Sequence, residues 1–197
     1  MKITRLTFLI LLVCSSSAFA QQREGTKAKL KTRFGDRLAL KADYFGELVL
    51  HPGLSVGVDY TVAENEWATL HWDTDLGGFW HRWNNSSVFL KTAFGFRLTI
   101  GSVFADINLG VGYMHTWAAG SLYQRAEEGG VETATNWGRS HFMPNTSFLI
   151  GWDGSRRNNQ RWAVHAGPEV YLQSSFNRIF LPHVAAKIGF TYKLNQQ

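Results

Sequence analysis

The amino-acid sequence predicts an all-β fold, an eight-stranded antiparallel transmembrane barrel whose strands run up and down in chain order. Three kinds of observation predict it. Apolar and polar side chains alternate along residues 88–111 almost without interruption. The chain begins with the features of an export signal, and most tryptophans lie where predicted strands end. A strand that crosses a bilayer needs two unlike faces, and its ends favour aromatic side chains.

The clearest strand pair covers residues 88–100 and 103–117, which a Gly101-Ser102 turn connects. Side chains two positions apart share one face of a strand. The apolar face holds Val88, Leu90, Phe94, Phe96, Leu98, Ile100, Val103, Ala105, Ile107, Leu109 and Val111. The other face holds Lys91, Ala93, Gly95, Arg97, Thr99, Asp106, Asn108, Gly110 and Gly112. This pattern predicts lipid on one side of the strands and charged groups on the other.

The same two-residue period predicts six further strands. Eight result in all, at residues 38–50, 54–62, 67–80, 88–100, 103–117, 142–152, 161–174 and 183–194. An even number returns the chain to the side of the membrane on which it started. With a periplasmic N-terminus, the turns at 64–66, 101–102 and 153–160 face the periplasm. The segments near Arg82, at 118–140 and at 175–181 then face outward, and 118–140 is predicted to be the longest irregular one.

The N-terminus is interpreted as a secretory signal peptide over residues 1–20. Lys2 and Arg5 precede an apolar core, and Ala18-Phe19-Ala20 offers small residues before a cut at Gln21. The only cysteine, Cys14, lies within this segment, so the mature chain has no disulfide to form. Export through a cleavable signal and a barrel fold together predict location in the cell outer membrane.

Two further segments complete the predicted organisation. Residues 21–36 are polar and basic without a clear pattern and are interpreted as a periplasmic lead-in, and residues 37–197 form the barrel. The formal net charge of +5 comes with no long basic run, so nucleic acid is not an expected partner.

Tryptophan and tyrosine supply an independent check on this topology. One group lies at predicted periplasmic strand ends and comprises Trp67, Trp152, Trp162, Tyr60 and Tyr192. A second group lies at predicted external ends and comprises Trp80, Trp83, Trp117 and Tyr113. Two belts are expected at two membrane interfaces. A soluble sandwich or lipocalin-type barrel, the alternative fold with alternating strands, gives no reason for two belts.

At this point the chain resembles the small eight-stranded outer-membrane proteins of Gram-negative bacteria. The resemblance rests on the strand pattern over nearly all of the mature chain, and no sharp motif accompanies it. Such proteins often end on an aromatic residue. Here Phe190, Tyr192 and Leu194 keep the alternation, but residues 195–197 follow them.

The inward faces of the predicted strands carry both signs of charge. An eight-stranded barrel is just wide enough for its own side chains, so these charges predict a hydrogen-bonded plug that does not conduct. A proton or ion path is the alternative, which the narrow bore disfavours. The inward charged set is Lys41, Asp43, Glu47, Asp59, His71, Asp73, Asp75, Lys91, Arg97, Asp106, His165, Glu169 and Lys187.

No catalytic residue is predicted. Some small barrels of this class trim or acylate lipopolysaccharide, and the deacylase type carries an outward His-x-Ser pair with a later acid. The local match His81-Arg82-Trp83 has tryptophan in place of serine, and the same motif fails at His115, His141, His165 and His183. Ser140 precedes His141, but neighbours along a strand point in opposite directions.

Two histidine patterns raise the question of a metal or cofactor, and neither one is assigned. His71, Asp73 and Asp75 share a face at steps of about 7 Å, for which a lumen proton network is the favoured interpretation. Histidines also gather at predicted external strand ends, and all but His115 point toward the barrel mouth. They are His51, His81, His115, His141 and His183. A rim site for a transition metal or haem is the alternative to ordinary interfacial histidines.

The sequence therefore predicts a non-conducting outer-membrane barrel with a structural or surface-interaction role. Its expected partners are outer-membrane lipid, lipopolysaccharide and an extracellular partner that binds loop 118–140, and a monomer is expected. A lipid A-modifying enzyme without a recognisable triad is the alternative function.

Overall fold

The computed structural model describes residues 34–48, 51–126, 129–158, 160–176 and 179–194. The predicted signal peptide, most of the lead-in and residues 195–197 lie outside them. A 3-10 helix covers Phe34–Arg37, and a short helix, α1, covers Ser155–Asn158. The strands are β1 (Leu38–Glu47), β2 (Gly53–Glu64), β3 (Ala68–Trp80), β4 (Asn85–Ile100), β5 (Val103–Ala118), β6 (Leu122–Arg125), β7 (Val131–Ala134), β8 (Arg139–Phe142), β9 (Asn145–Asp153), β10 (Trp162–Phe176) and β11 (Ile179–Lys193).

The strands close into a barrel with eight antiparallel strand positions. Sequential strands pair from β1 to β5, and β9, β10 and β11 continue the sheet. β8 and β9 together occupy one strand position, because both pair with β5. The ring closes where β1 pairs with β11, from Ala39 opposite Lys193 to Glu47 opposite Ala185. The predicted eight-stranded up-and-down barrel is confirmed, and closure leaves the wall no open edge.

The barrel has apolar side chains outside and charged side chains inside, as the alternation predicts. Outward Leu90 and Leu109 are 53% and 73% exposed, whereas inward Lys91 is 4% exposed. A soluble barrel would place its apolar face in the interior. The arrangement matches a strand wall that has lipid as its solvent.

The predicted sixth strand, at 142–152, differs from the structure. The wall begins earlier, at Arg139, and breaks at Met143 and Pro144 between β8 and β9. Proline has no amide hydrogen to donate to a ladder, which explains the interruption. Arg139 to His141 were not predicted as strand, because they follow a glycine-rich stretch in which apolar and polar side chains do not alternate.

The external segments are also more ordered than predicted. Within 118–140, β6 and β7 form a hairpin in which Leu122 lies opposite Ala134 and Arg125 opposite Val131. The predicted loop at 175–181 is mostly strand, because β10 and β11 extend to Phe176 and Ile179. Their sequences show no continuous apolar alternation, so the two-residue period gave no signal for them.

At the barrel end that the sequence predicts to face the periplasm, the last residues of the predicted lead-in contact the barrel. The Phe34 ring lies 5.5 Å from the Tyr60 ring, and the Arg37 guanidinium donates to the Val62 carbonyl at 3.4 Å. Asp36 is buried there. Residues 34–36 thus pack on the barrel.

Helices contribute little to the described part of the chain. None of the described helices has the length and apolar character needed to span a bilayer.

Candidate functional site

The barrel interior begins, below its external mouth, with an apolar layer that we call the aromatic layer. Its members are Phe45, Phe79, Phe89, Met114, Met143, Tyr171 and Ala185. The Phe45 ring is central, with centroid distances of 4.8 Å to Phe89 and 6.0 Å to Tyr171. The sequence predicted a charged plug, and this apolar layer was not predicted. The signal was available, because Phe45 lies between inward Asp43 and Glu47 and must share their face.

Beneath the aromatic layer, three lysines are held between carboxylates from across the barrel. The Lys41 Nζ lies 2.6 Å from Asp73, and the Lys187 Nζ lies 3.3 Å from both Asp43 and Asp75. The Lys91 ammonium donates to Glu169 and lies 4.9 Å from the centre of the Phe45 ring. These contacts join strands that are far apart in sequence, so the network connects opposite sides of the barrel.

Closer to the periplasm, Arg97 and His71 share a second set of carboxylates. The Arg97 Nε donates to Asp106 at 2.9 Å, and a terminal nitrogen lies 3.4 Å from Asp59. The His71 Nε2 lies 3.0 Å from Asp106, and its Nδ1 lies 3.3 Å from Asp73. A carboxylate oxygen accepts hydrogen bonds, so this geometry is satisfied when both ring nitrogens of His71 carry a proton.

Two glycines make room for the histidines of this network. A Cβ at Gly95 would lie 2.2 Å from the His71 Nε2. A Cβ at Gly189 would lie 1.8 Å from the Asp43 Oδ1, which bonds to the His165 Nε2 at 2.8 Å. Any larger residue at these positions would displace an ion pair. Together the network and the aromatic layer fill the lumen.

One small cavity lies within the ion-pair network. A cavity of about 10 Å³ lies among Asp73, Asp75, Lys91, Glu169 and their neighbours. That is room for about one water molecule.

The structure brings Asp59, His71 and Asp73 close enough to share a metal ion. Asp75, which the sequence pattern grouped with His71 and Asp73, bonds to lysines instead. The two carboxylates of this cluster already have cationic partners, since Lys41 binds Asp73 and Arg97 lies beside Asp59. The chemistry of the cluster is that of an ion-pair network.

Above the aromatic layer, the barrel opens into an external vestibule of about 480 Å³. Its walls are formed mainly by β5, β8 and the segment that links β7 to β8. The lining residues are Asn84, Asn85, Thr116, Ala118, Leu122, Thr135, Asn136, Trp137, Gly138, Arg139, His141, Gln173, Leu181 and His183. The topology predicted from the sequence assigns this end of the barrel to the cell exterior.

The five histidines predicted at external strand ends lie at this mouth. His115 alone of them faces outward, as the two-residue period of its strand predicts. His51 and His183 bond to the two oxygens of Glu47 at 2.7 Å and 2.9 Å. The His81 ring lies against the His51 ring, with centroids 3.6 Å apart and the two planes tilted by 34°. The His141 Nδ1 donates to the Ser174 carbonyl at 2.6 Å. Among the described residues, no three His, Asp or Glu side chains at this mouth lie close enough together to share a metal ion.

The structure also brings together a serine and a histidine that are far apart in the sequence. Ser140 on β8 lies directly opposite His115 on β5, and the Ser140 Oγ is 3.1 Å from the His115 Nδ1. Sequence reasoning sought a local motif and missed this pair, because the two residues meet only through strand pairing. Both face away from the lumen, on the outer wall near the external end.

The chain has similarities to solved structures and none to a family model or a curated protein. No family model matches the chain, and no curated protein matches it. Among solved structures, it is similar to the N-terminal β-barrel domain of Pseudomonas aeruginosa OprF, with 9% identity, a TM-score of 0.48, and coverage of 79% of this chain and 95% of that one. It is similar to the outer membrane enzyme PagL, with 11% identity, a TM-score of 0.49, and coverage of 78% and 98%.

A third similar structure is Neisserial surface protein A, with 9% identity, a TM-score of 0.48, and coverage of 79% of this chain and 95% of that one. At these identities no residue role passes from these proteins to this chain.

Proposed function

We propose that this protein is a non-conducting barrel of the outer membrane that acts as a structural and surface-interaction protein. The observation that carries the proposal is a lumen filled by two layers beneath an open external vestibule. Transport through a lumen filled in this way is disfavoured. The surface that remains available for function is the external one.

The β6–β7 hairpin and the segment after it form the most prominent part of that face. Tyr123, Val131 and Trp137 are 68%, 74% and 81% exposed. On the neighbouring loop, the Arg82 guanidinium lies 4.8 Å from the centre of the Trp83 ring. Aromatic side chains beside a guanidinium suit an amphiphile with apolar chains and anionic groups. Lipopolysaccharide has this chemistry, and it is the partner we propose.

A titration of refolded protein with purified lipopolysaccharide tests this role. The reporter is tryptophan fluorescence, and the variant replaces residues 122–134 by a short glycine linker. We expect saturable binding by the parent protein and at least tenfold weaker binding by the variant. Because β6 and β7 pair only with each other, the variant should keep the gel shift between boiled and unboiled samples.

Arg156→Ala on helix α1, at the opposite end of the barrel, is the matched control and should bind like the parent. Equal affinity in the hairpin variant, or no saturable binding by the parent, would contradict the surface-interaction role.

A further inference from the structure

Where β5 meets β8, the outer wall carries a polar trio that interrupts its apolar surface. The trio consists of Tyr113, His115 and Ser140, all on the outward face. Its neighbours on that face are apolar, since Val88 lies opposite His115 and Phe142 opposite Tyr113. Polar side chains on a lipid-facing wall are costly, and they tend to mark functional positions.

The hydrogen bonds within the trio have a defined direction. The His115 Nε2 lies 3.1 Å from the Trp137 carbonyl oxygen, which only accepts, so Nε2 carries the proton. The His115 Nδ1 is then an acceptor, and the Ser140 hydroxyl 3.1 Å away donates to it. The Tyr113 hydroxyl, 2.6 Å from the Ser140 Oγ, donates to that oxygen.

This is the arrangement of an activated serine nucleophile. A base within hydrogen-bond reach accepts the serine proton, and a third group orients the base. Here His115 is the base and the Trp137 carbonyl fixes its tautomer. We propose that Ser140 and His115 form a catalytic pair that hydrolyses carboxylic esters of outer-leaflet lipids.

The position of the pair favours an acylated lipid as the substrate class. The His115 ring contacts the ring of Trp117 at 4.5 Å, near the external end of β5. Aromatic side chains of this kind mark the membrane interface. Toward the membrane centre the same face continues with Val111 and Leu109, which are 47% and 73% exposed. An acyl chain lying along that face would bring its ester to the level of Ser140.

The chemistry balances with water as the second reactant. The Ser140 Oγ bonds to the ester carbonyl carbon while its proton moves to the His115 Nδ1. The Tyr113 hydroxyl is then available to donate to the developing oxyanion. The bond to the alcohol oxygen breaks, and that oxygen takes the proton from His115. Water attacks the acyl-serine, His115 takes its proton and returns it to Ser140, and the carboxylic acid leaves.

Gly138 explains how the loop reaches the imidazole. It has a φ of +70°, and a Cβ there would lie 2.5 Å from the His115 Nε2. A side chain at this position would therefore push the Trp137 segment away from the histidine. Gly138 and the Trp137 carbonyl act as positioning elements for the pair.

The test uses protein refolded from inclusion bodies, which removes membrane esterases of the host. Refolded protein is treated with a fluorophosphonate probe, and the adduct is located by peptide mass spectrometry. Hydrolysis of p-nitrophenyl octanoate and of dimyristoyl phosphatidylglycerol in mixed micelles is measured in parallel. We expect the adduct on Ser140 and release of free fatty acid.

Three variants separate catalysis from folding, and each is checked for the gel shift of a folded barrel. Ser140→Ala should abolish the adduct and hydrolysis, and His115→Ala should lower the turnover number by about 10²–10⁴-fold. Ser86→Ala removes an outward hydroxyl on β4 and should behave like the parent. No adduct on folded parent protein, or equal hydrolysis by Ser140→Ala, would overturn the proposal. Neither result touches the surface-interaction role, which the lipopolysaccharide titration tests separately.

Discussion

At the residue scale, the lumen is held by charges that have their partners on other strands. Arg97 contacts Asp106 through two nitrogens, and the Asp106 side chain is 1% exposed. The Arg97 guanidinium also lies 4.5 Å from the centre of the Phe104 ring. Burying a charge is costly unless it is paired, so each such pair depends on both members.

Replacement of Arg97 by alanine should destabilise the barrel. The change leaves Asp106 buried with His71 as its remaining charged partner, and we expect a loss of about 3–5 kcal/mol in the free energy of unfolding. Urea unfolding of refolded protein in lipid vesicles, followed by tryptophan fluorescence, measures it. Arg82→Ala, on an exposed loop, is the control and should change stability by less than about 0.5 kcal/mol. Equal losses in the two variants would contradict the network.

Parity alone assigned the lumen charges to the correct face, because the side-chain period of a strand is two. It did not assign partners. The bond between His165 and Asp43 joins residues 122 positions apart, and the pairing of His115 with Ser140 depends on the register between β5 and β8. Register and shear are properties of the closed barrel, and a single strand pattern carries no information on them.

At the element scale, the aromatic layer and the external hairpin have different roles. Phe45 on β1 is fully buried among side chains from several strands, so it stabilises the upper barrel. The hairpin of β6 and β7 belongs to a separate two-stranded sheet. Disruption of the aromatic layer should lower the stability of the barrel, and removal of the hairpin should leave that stability unchanged.

Phe45→Ala should therefore cost about 3–5 kcal/mol through the cavity it leaves in the aromatic layer. Phe94→Ala is the matched control, because Phe94 faces outward and is 50% exposed. It should cost clearly less in the same unfolding assay. A smaller effect at Phe45 than at Phe94 would show that the interior is loosely packed.

Trypsin treatment of intact cells tests which end of the barrel faces outward. Arg125 ends β6 in the external hairpin and should be cut first. Arg139, a second basic residue of the predicted loop, pairs with Thr116 in the barrel wall and should resist. Arg156 in helix α1 should be cut only after the outer membrane is disrupted. Protection of Arg125 in whole cells, with cleavage only after lysis, would reverse the topology.

At the scale of the whole molecule, the fold was predictable because its signals are periodic and global. An alternating face, two aromatic belts and an even strand count determine an inside-out barrel. The aromatic layer, the hairpin and the break at Pro144 were not predicted. The hairpin and the break depart from the alternation, and the layer uses apolar residues where charges were expected.

The central claim is that the lumen is closed by the aromatic layer and the ion-pair network together. Conductance of the refolded protein in a planar lipid bilayer tests it most directly, with the gel shift between boiled and unboiled samples as proof of folding. The account predicts no stable single-channel steps over the range of voltages at which a porin conducts. Reproducible steps of uniform size from folded protein would contradict it.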